Sequence, residues 1–285
     1  MKRVLITGGT GFIGRNVIPF LQTRCEIYTP NRSELNLYNQ KEVVDYIIEN
    51  GIDIVFHCAN PNPVKNVLDH ASTQFEDSIR MFLNLYSAEQ YYEMMYTLGS
   101  GAEYNKSMEI ASVREDEEFR SVPADSYGLA KYTMNQMISK SEKQCNLRLF
   151  GCYGPTDHES KFITHAIRCC LRGEAITIRQ NCMFDYMQVA DAARVMAFFI
   201  DHTPIYRSYN VCSGKRVSLL EIAETVKRQM NAEVEIRIMK EGWNREYTAC
   251  NARLLSEYPD LQPTSLEEGI SIQIESERKN LEARQ

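Results

Sequence analysis

Hydrophobic and polar positions follow two different periods along the first half of the chain. Short apolar runs rich in β-branched residues are typical of buried strands, and longer amphipathic segments are typical of helices. The pattern predicts strands at 4–7, 26–28, 52–57, 94–98 and 147–150, and helices at 12–21, 41–50, 67–92 and 127–141. This regular alternation of strand and helix predicts an α/β fold, in which a doubly wound parallel sheet is covered on both faces.

The pattern becomes more mixed in the second half. Residues 105–124 are charged and predicted as loop. After Pro155 the predicted helices lie at 161–172, 189–201, 218–230 and 266–281, and strands lie near 176–178 and 233–238. We therefore expect a sheet domain at 1–155 and a smaller α/β C-terminal lobe at 156–285, some segments of which return to the first domain.

A glycine-rich turn joins the first predicted strand to the first helix. The segment Thr7-Gly8-Gly9-Thr10-Gly11-Phe12-Ile13-Gly14 spaces Gly8, Gly11 and Gly14 as G-x-x-G-x-x-G. The first two allow a sharp turn close to a pyrophosphate, and the third lets the helix pack against the strand. Phosphate is then bound by N–H groups at the helix N-terminus, where Phe12 and Ile13 lie. A turn in this position predicts dinucleotide binding rather than a purely structural role.

The residues after the second predicted strand indicate which dinucleotide is bound. An acidic residue about 20 positions after the glycine turn is typical of NAD binding, because it accepts hydrogen bonds from the ribose. This chain has Thr29-Pro30-Asn31-Arg32-Ser33 there instead. Arg32 can pair with the 2′-phosphate of NADP, and the alternative is a solvated loop charge. The segment favours NADP over NAD.

A candidate catalytic group follows the fourth predicted strand. Ser100 lies at the strand end, and Tyr127 and Lys131 lie four residues apart on a predicted helix, on one face. A free phenol, with a pKa near 10, is a poor acid–base catalyst at neutral pH. A fixed ammonium nearby favours the phenolate, so we expect Lys131 to lower the pKa of Tyr127. Together with the glycine turn, these residues predict an oxidoreductase site.

Net charge, apolar runs and cysteine spacing limit the kinds of partner expected for this chain. The chain has 285 residues and a formal net charge of −6, which argues against nucleic acid as a partner. No apolar run is long enough to cross a bilayer, and the N-terminus does not resemble a signal peptide. The nine cysteines form no C-x-x-C pair and no zinc-like spacing with histidine. We therefore expect a cytoplasmic protein without a metal site or a membrane partner.

These motifs, taken together, resemble the extended short-chain dehydrogenase/reductases that act on nucleotide sugars. The resemblance runs from Val4 to about Gly269. Besides the segments already quoted, it includes Ser100 four residues before Tyr104, Tyr153-Gly154-Pro155, Phe184-Asp185-Tyr186-Met187-Gln188-Val189-Ala190-Asp191, Tyr209-Asn210-Val211 with Ser213-Gly214, and Thr264-Ser265-Leu266-Glu267-Glu268-Gly269. Within the family, Arg32-Ser33-Glu34-Leu35-Asn36-Leu37 looks most similar to the GDP-4-keto-6-deoxymannose epimerase/reductase (GDP-fucose synthase) branch.

The resemblance implies further site residues. It places Arg32, Asn36 and Leu37 near the adenosine half of NADPH, and it makes Ala59 a cofactor-binding residue. It assigns a diphosphate-binding position to Arg245, with Arg168 and Arg179 as alternatives, and it aligns Lys161 with a substrate-binding position. Homodimers through the helices near 67–92 and 127–141 are also implied.

Departures from the family pattern limit the chemistry. Dehydratases of this family carry an Asp-Glu pair after the catalytic Ser or Thr, whereas Gly101 and Ala102 stand here, which disfavours 4,6-dehydration. The fucose-synthase branch epimerises with a cysteine and a histidine, whose positions align with Ala102 and Lys161. Gly151 and Phe184 replace an asparagine and an arginine that usually contact the sugar and the diphosphate. The expected substrate therefore differs from the common ones.

The sequence thus predicts a Rossmann domain that binds NAD(P) at 1–155 and a lobe at 156–285 that mainly binds substrate. The expected activity is NADPH-dependent reduction of a nucleotide-linked 4-keto sugar, with Tyr127 as proton donor, Ser100 on the same oxygen and Lys131 on the cofactor ribose. The alternatives are an NAD(P)-dependent nucleotide-sugar epimerase that recycles its cofactor, and a non-catalytic dinucleotide sensor.

Overall fold

The computed structural model describes residues 1–61 and 73–282. Its strands, numbered along the chain, are β1 (Arg3–Thr7), β2 (Glu26–Tyr28), β3 (Ile54–His57), β4 (Met94–Ser100), β5 (Ile110–Val113), β6 (Gln144–Leu149), β7 (Gly151–Tyr153), β8 (Ile176–Asn181), β9 (Met183–Phe184), β10 (Tyr186–Gln188), β11 (Ser208–Val211), β12 (Val217–Ser218), β13 (Ile236–Trp243) and β14 (Tyr247–Ala249). Its helices are α1 (Phe12–Leu21), α2 (Gln40–Glu49), α3 (Gln74–Tyr86), α4 (Ser126–Ile138), α5 (Phe162–Arg172), α6 (Val189–Asp201), α7 (Leu219–Met230), α8 (Ala252–Glu257) and α9 (Leu266–Glu282).

Six parallel strands form the central sheet, in the order β11-β6-β4-β3-β1-β2. Apolar residues of β1 alternate between its two faces. Val4 and Ile6 pack in a core with α1 and α6, and Leu5 packs in a core with α2, α3 and α4. Burial of both faces is what keeps these strands almost continuously apolar. The predicted doubly wound α/β fold is therefore confirmed.

A third core lies in the C-terminal half. Helices α5, α7 and α9 enclose apolar residues together with β8, and the fully buried Ile163, Ile167, Ile222 and Val226 are among them. Strand β13 pairs with β8 in parallel and has mostly exposed side chains. Strand β11 belongs to the central sheet, although it lies beyond residue 155 in the chain.

Several predicted boundaries are wrong. The helix predicted over 67–92 ends at Tyr86 and is followed by a single 3-10 turn at Glu89–Tyr91, while its start falls partly in residues 62–72, outside the described residues. The fifth sheet strand begins at Gln144 rather than Leu147. Strand β5 lies inside the stretch 105–124 that was predicted as loop. Strand β13 is Ile236–Trp243 rather than 233–238.

Polar residues inside the fold account for the late start predicted for β6 and for a further error, the absence of β11 from the prediction. On the face toward α4, β6 carries Gln144, Asn146 and Arg148, and β11 carries Ser208 and Asn210, all of them buried. These side chains interrupt the apolar run from which a buried strand is predicted. Strand β11 was consequently not predicted, and β6 was predicted too short. No helix within 1–61 and 73–282 has the length and apolar character needed to cross a membrane.

Candidate active site

The turn between β1 and α1 is shaped by close backbone contacts. Gly8 has φ +71, and a Cβ atom there would lie 2.8 Å from the Cα atom of Ala59. A Cβ atom on Gly14 would lie 2.5 Å from the carbonyl oxygen of Gly8, so the third glycine lets α1 approach the turn. Gly11 precedes α1, and among the described residues no side chain caps its N-terminus. Uncapped N–H groups beside a narrow turn fit the phosphates of a dinucleotide.

Ala59 lies directly across from this turn, at the end of β3. Its N–H donates to the hydroxyl of Thr7 at 3.2 Å, and that hydroxyl lies 2.9 Å from Nδ1 of His57. Burial lowers the pKa of His57 to about 3, so the imidazole is neutral. The Thr7 hydroxyl contacts both the Ala59 N–H and the His57 ring. These contacts join the ends of β1 and β3 at the predicted cofactor site.

The residues expected near the adenosine follow β2, the edge strand of the sheet. Arg32 and Asn36 are exposed there, and Leu37 is half-buried. The carbonyl of Leu37 accepts a hydrogen bond from the Asn84 side chain at 2.8 Å, which ties this loop to α3. Arg32 is thus placed beyond the sheet edge, where its guanidinium is accessible to a ligand.

Ser100 and Tyr127 are brought together by β4 and α4. Ser100 is the last residue of β4, and its side chain accepts from the Ala102 N–H at 3.2 Å. Asp125 caps α4, because its carboxylate accepts from the Gly128 N–H at 3.0 Å and so fixes the turn that carries Tyr127. The pKa of Tyr127 is raised by burial, opposed by a hydrogen bond with the Ser100 side chain. The two hydroxyls therefore share one site.

Lys131 lies one helical turn after Tyr127 and is 7% exposed. Its ammonium donates to the carbonyl of Leu98 in β4 at 2.7 Å. Burial lowers the pKa of Lys131, opposed by the negative charge of Glu103 and by Cys58. Lys131 is thus close to Cys58, the residue that precedes Ala59 in the chain.

One sequence expectation about this pair is wrong. Lys131 was expected to lower the pKa of Tyr127, but that pKa is raised, and the opposing group is Ser100. Desolvation of the phenolate is the largest cause, and the negative charges of Glu103 and Asp125 add to it. Partial burial and two nearby carboxylates both favour the protonated form of this phenol.

Tyr247 of β14 is a site residue that the sequence analysis missed. Its ring contacts those of Phe150 and Phe184, with centroids 5.1 Å and 5.4 Å away. Its side chain hydrogen-bonds Ser100, and a Cβ atom on Gly101 would lie 2.6 Å from its hydroxyl oxygen. Only a glycine at position 101 leaves room for this hydroxyl. The C-terminal half thus adds a second phenol to the site.

Comparison with known proteins identifies the family. A family model described as "NAD dependent epimerase/dehydratase family" matches residues 4–212. The chain belongs to this family. The prediction of an extended short-chain dehydrogenase/reductase, and with it of an NAD(P)-dependent enzyme, is thereby confirmed.

Three individual proteins illustrate the range of this epimerase/dehydratase family around the chain. ADP-L-glycero-D-manno-heptose-6-epimerase of Pseudomonas paraeruginosa is 25% identical over 268 residues, covering 81% of this chain and 79% of the relative. A GDP-L-fucose synthetase from Naegleria fowleri bound to NADP has a TM-score of 0.84 at 16% identity, covering 99% of this chain and 94% of that one. GDP-mannoheptose C4 reductase of Campylobacter jejuni with NADP bound has a TM-score of 0.81 at 18% identity, covering 97% and 98%. These two structures share the fold.

The basic residues predicted to bind substrate lie on different elements of the chain, and three of the four are exposed. Arg245 is exposed two residues before Tyr247, Arg179 is exposed on β8, and Lys161 is exposed directly before α5. Arg168, named as an alternative, is instead paired with Glu277 at 2.6 Å and with Glu159 at 2.7 Å. Its guanidinium therefore connects α5 to α9.

A buried carboxyl group lies between β7 and α5. Asp157 is 5% exposed, and its carboxylate accepts from the His158 N–H at 2.8 Å. Burial raises its pKa to about 7, opposed by the charge of Lys161. Nothing in the sequence indicated this group, because burial of a single aspartate depends on the tertiary fold.

Replacing Asp157 with asparagine should change how stability depends on pH. The folded protein binds this proton more tightly than the unfolded chain, so the native aspartate loses stability as pH rises between about 4 and 7. The asparagine variant has no such loss. Its free energy of unfolding should therefore rise relative to the native protein by up to about 4 kcal/mol across that window. Urea unfolding at both ends of the window measures this.

The matched control is Asp116→Asn, whose side chain is 68% exposed. That variant should keep the pH dependence of the native protein. If the native protein and Asp157→Asn lose stability in parallel as pH rises, the proton on Asp157 is not responsible.

Proposed function

We propose that this protein is an NADPH-dependent reductase of a nucleotide-linked 4-keto sugar, with a 6-deoxy sugar as the expected substrate. The observation that carries the proposal is the half-buried phenol of Tyr127, which hydrogen-bonds the Ser100 side chain. A ketone that becomes an alkoxide needs a proton donor at its oxygen, and the Tyr127 phenol beside the Ser100 hydroxyl is placed to be that donor. The names of two fold neighbours, a C4 reductase and a fucose synthetase that bind NADP, support the same reaction class.

The residues around the site have separate roles in this proposal. Tyr127 donates its proton to the substrate oxygen, and Ser100 hydrogen-bonds the same oxygen as negative charge develops. The glycine turn with Ala59 and the N-terminus of α1 hold the phosphates, and Lys131 holds the nicotinamide ribose. When bound, the nicotinamide dinucleotide supplies the hydride. Tyr247 is close enough to Ser100 to exclude water from this oxygen or to hold a neighbouring sugar hydroxyl.

The preference for NADPH rests on the loop after β2. Arg32 lies there exposed, and the sequence offers no carboxylate at the position typical of NAD binding. A guanidinium can bind a 2′-phosphate through two parallel hydrogen bonds. Lys161, Arg179 and Arg245 are the proposed contacts for the diphosphate and sugar. A cytoplasmic location and a homodimer that packs through α3 and α4 are parts of the same proposal.

A second candidate is a nucleotide-sugar epimerase that recycles its cofactor. The heptose-6-epimerase relative and the family description favour this reaction. An epimerase begins by oxidising its substrate, for which Tyr127 must first act as a base.

One assay separates these functions. GDP-, CDP-, UDP- and dTDP-linked 4-keto sugars are each incubated with the protein and either NADPH or NADH, and loss of cofactor absorbance is compared with the sugar product formed. We expect one NADPH consumed per product and slower reaction with NADH. Conversion of the corresponding 4-hydroxy sugars in a parallel incubation with NADP or NAD, without net change in cofactor absorbance, would establish an epimerase instead. Dinucleotide binding without turnover of any sugar would favour a non-catalytic sensor.

A further inference from the structure

A buried carboxylate lies directly behind Ser100. Residues Gly101–Tyr104 form a single 3-10 turn, and the Ser100 side chain accepts from a backbone N–H of that turn. In return, the Ser100 N–H donates to Oε1 of Glu103 at 2.8 Å. This reciprocal arrangement is a capping box, whose sequence signature is Ser followed three residues later by Glu. The backbone of Ser100 is therefore held from two sides.

Three donors converge on the Glu103 side chain. Besides the Ser100 N–H on Oε1, Oε2 accepts from the side-chain amide of Asn146 at 2.9 Å and from Nε of Arg148 at 2.8 Å. Burial raises the pKa of Glu103, and these donors oppose the rise. Because each contact needs an acceptor, the carboxylate is ionised and paired with Arg148.

The backbone beside Ser100 is built around this carboxylate. A Cβ atom on Gly99 would lie 2.4 Å from Oε1 of Glu103, so a side chain at position 99 would displace it. Arg148 is fully buried on β6, and its Nη2 also donates to Glu118 at 2.8 Å. Glu103 and Arg148 are thus one fixed unit between β4 and β6.

We propose that Glu103, held by Arg148, is a positioning residue that fixes Ser100 against Tyr127 and places one negative charge behind the catalytic tyrosine and lysine. The role rests on the proposed function of Ser100 and Tyr127. Glu103 is not proposed to contact the substrate or the cofactor. It acts through its hydrogen bond with the Ser100 N–H and through its negative charge.

The negative charge of Glu103 acts on two residues of the site, Tyr127 and Lys131. It raises the pKa of both. Among the described residues, the other groups that act on these two include Ser100, Asp125, Tyr247, Cys58 and His57, which come from β4, the start of α4, β14 and the end of β3. Glu118 is not among them, although it shares Arg148 with Glu103.

This difference gives a matched pair of variants, Glu103→Gln and Glu118→Gln. Ionisation of Tyr127 is measured by carbon-13 NMR of full-length protein labelled at tyrosine Cζ, with and without NADP, and Tyr127→Phe assigns the signal. We expect the pKa of Tyr127 to fall by about one unit in Glu103→Gln and to stay unchanged in Glu118→Gln. The ionised fraction near pH 10 should therefore be higher in Glu103→Gln. Equal fractions in the native protein and that variant, zero included, overturn the proposal.

The amide in Glu103→Gln sets an NH₂ group against a donor, so this variant can fail to fold. Glu103→Asp then tests the positioning half. It keeps the charge beside Arg148 but is one methylene too short to reach the Ser100 N–H. We expect about tenfold faster hydrogen exchange at the Ser100 amide than in Glu118→Asp, and an unchanged exchange rate overturns the proposal. Neither measurement needs a substrate, so a protein that turns over no sugar would refute the proposed function while these results still decide the role of Glu103.

Discussion

Replacing Tyr127 with phenylalanine should lower kcat by about a hundred- to ten-thousandfold, because the variant has no proton to donate to the substrate oxygen. The ring is kept, so the packing of α4 against β4 should change little. Affinity for NADPH should stay within about threefold of the native value, since the glycine turn and Lys131 are intact. Steady-state turnover and fluorescence titration of NADPH measure the two effects.

Tyr132→Phe is the control for this experiment. Tyr132 lies on the same helix and is 7% exposed, but its hydroxyl contacts the Gln136 side chain rather than Ser100. Losing that phenol should leave kcat within about twofold of the native value. Full activity in Tyr127→Phe would remove the proposed proton donor, and equal losses in both variants would point to a general effect on α4.

The regular elements were predictable because their signals are local. Helix α1 has the predicted bounds, and its glycine turn combines a positive φ at Gly8 with a close approach at Gly14. Both features require glycine, and the glycine spacing directly after a short apolar run shows this in the sequence. The Ser100, Tyr127 and Lys131 set was found for a similar reason, since four residues along a helix place two side chains on one face.

The rest of the site depends on contacts between distant segments. Tyr247 reaches Ser100 from β14, and Glu103 is held by Arg148, which lies 45 positions away. No periodicity predicts which strand lies beside which. The Ser-x-x-Glu spacing of Ser100 and Glu103 is a local signal for the turn, but it does not show that Glu103 is buried and paired with Arg148. The sign of the pKa shift at Tyr127 was missed for the same reason, because desolvation depends on the whole fold.

Replacing Arg148 with methionine should lower the free energy of unfolding by about 3–5 kcal/mol. Arg148 is fully buried and pairs with Glu103, which is 3% exposed, so the variant leaves a buried carboxylate without a cation. Chemical denaturation at neutral pH measures the loss. Arg80→Met is the control, since Arg80 pairs with Glu76 at 3.1 Å but the two side chains are 57% and 68% exposed. Its loss should be about 1 kcal/mol or less, because solvent screens the charge that remains.

A double variant, Arg148→Met with Glu103→Met, separates the cost of the unpaired charge from the role of the pair. Replacing a buried ion pair by apolar side chains is often nearly neutral, so most of the lost stability should return. Glu118 keeps donors from Asn135 and Ser208, each at 2.9 Å, and needs no replacement for Arg148. Turnover should not return with the stability, because the Ser100 N–H then lacks its acceptor. Recovery of both would mean that the pair serves folding alone, whereas recovery of stability without turnover would tie it to the positioning of Ser100.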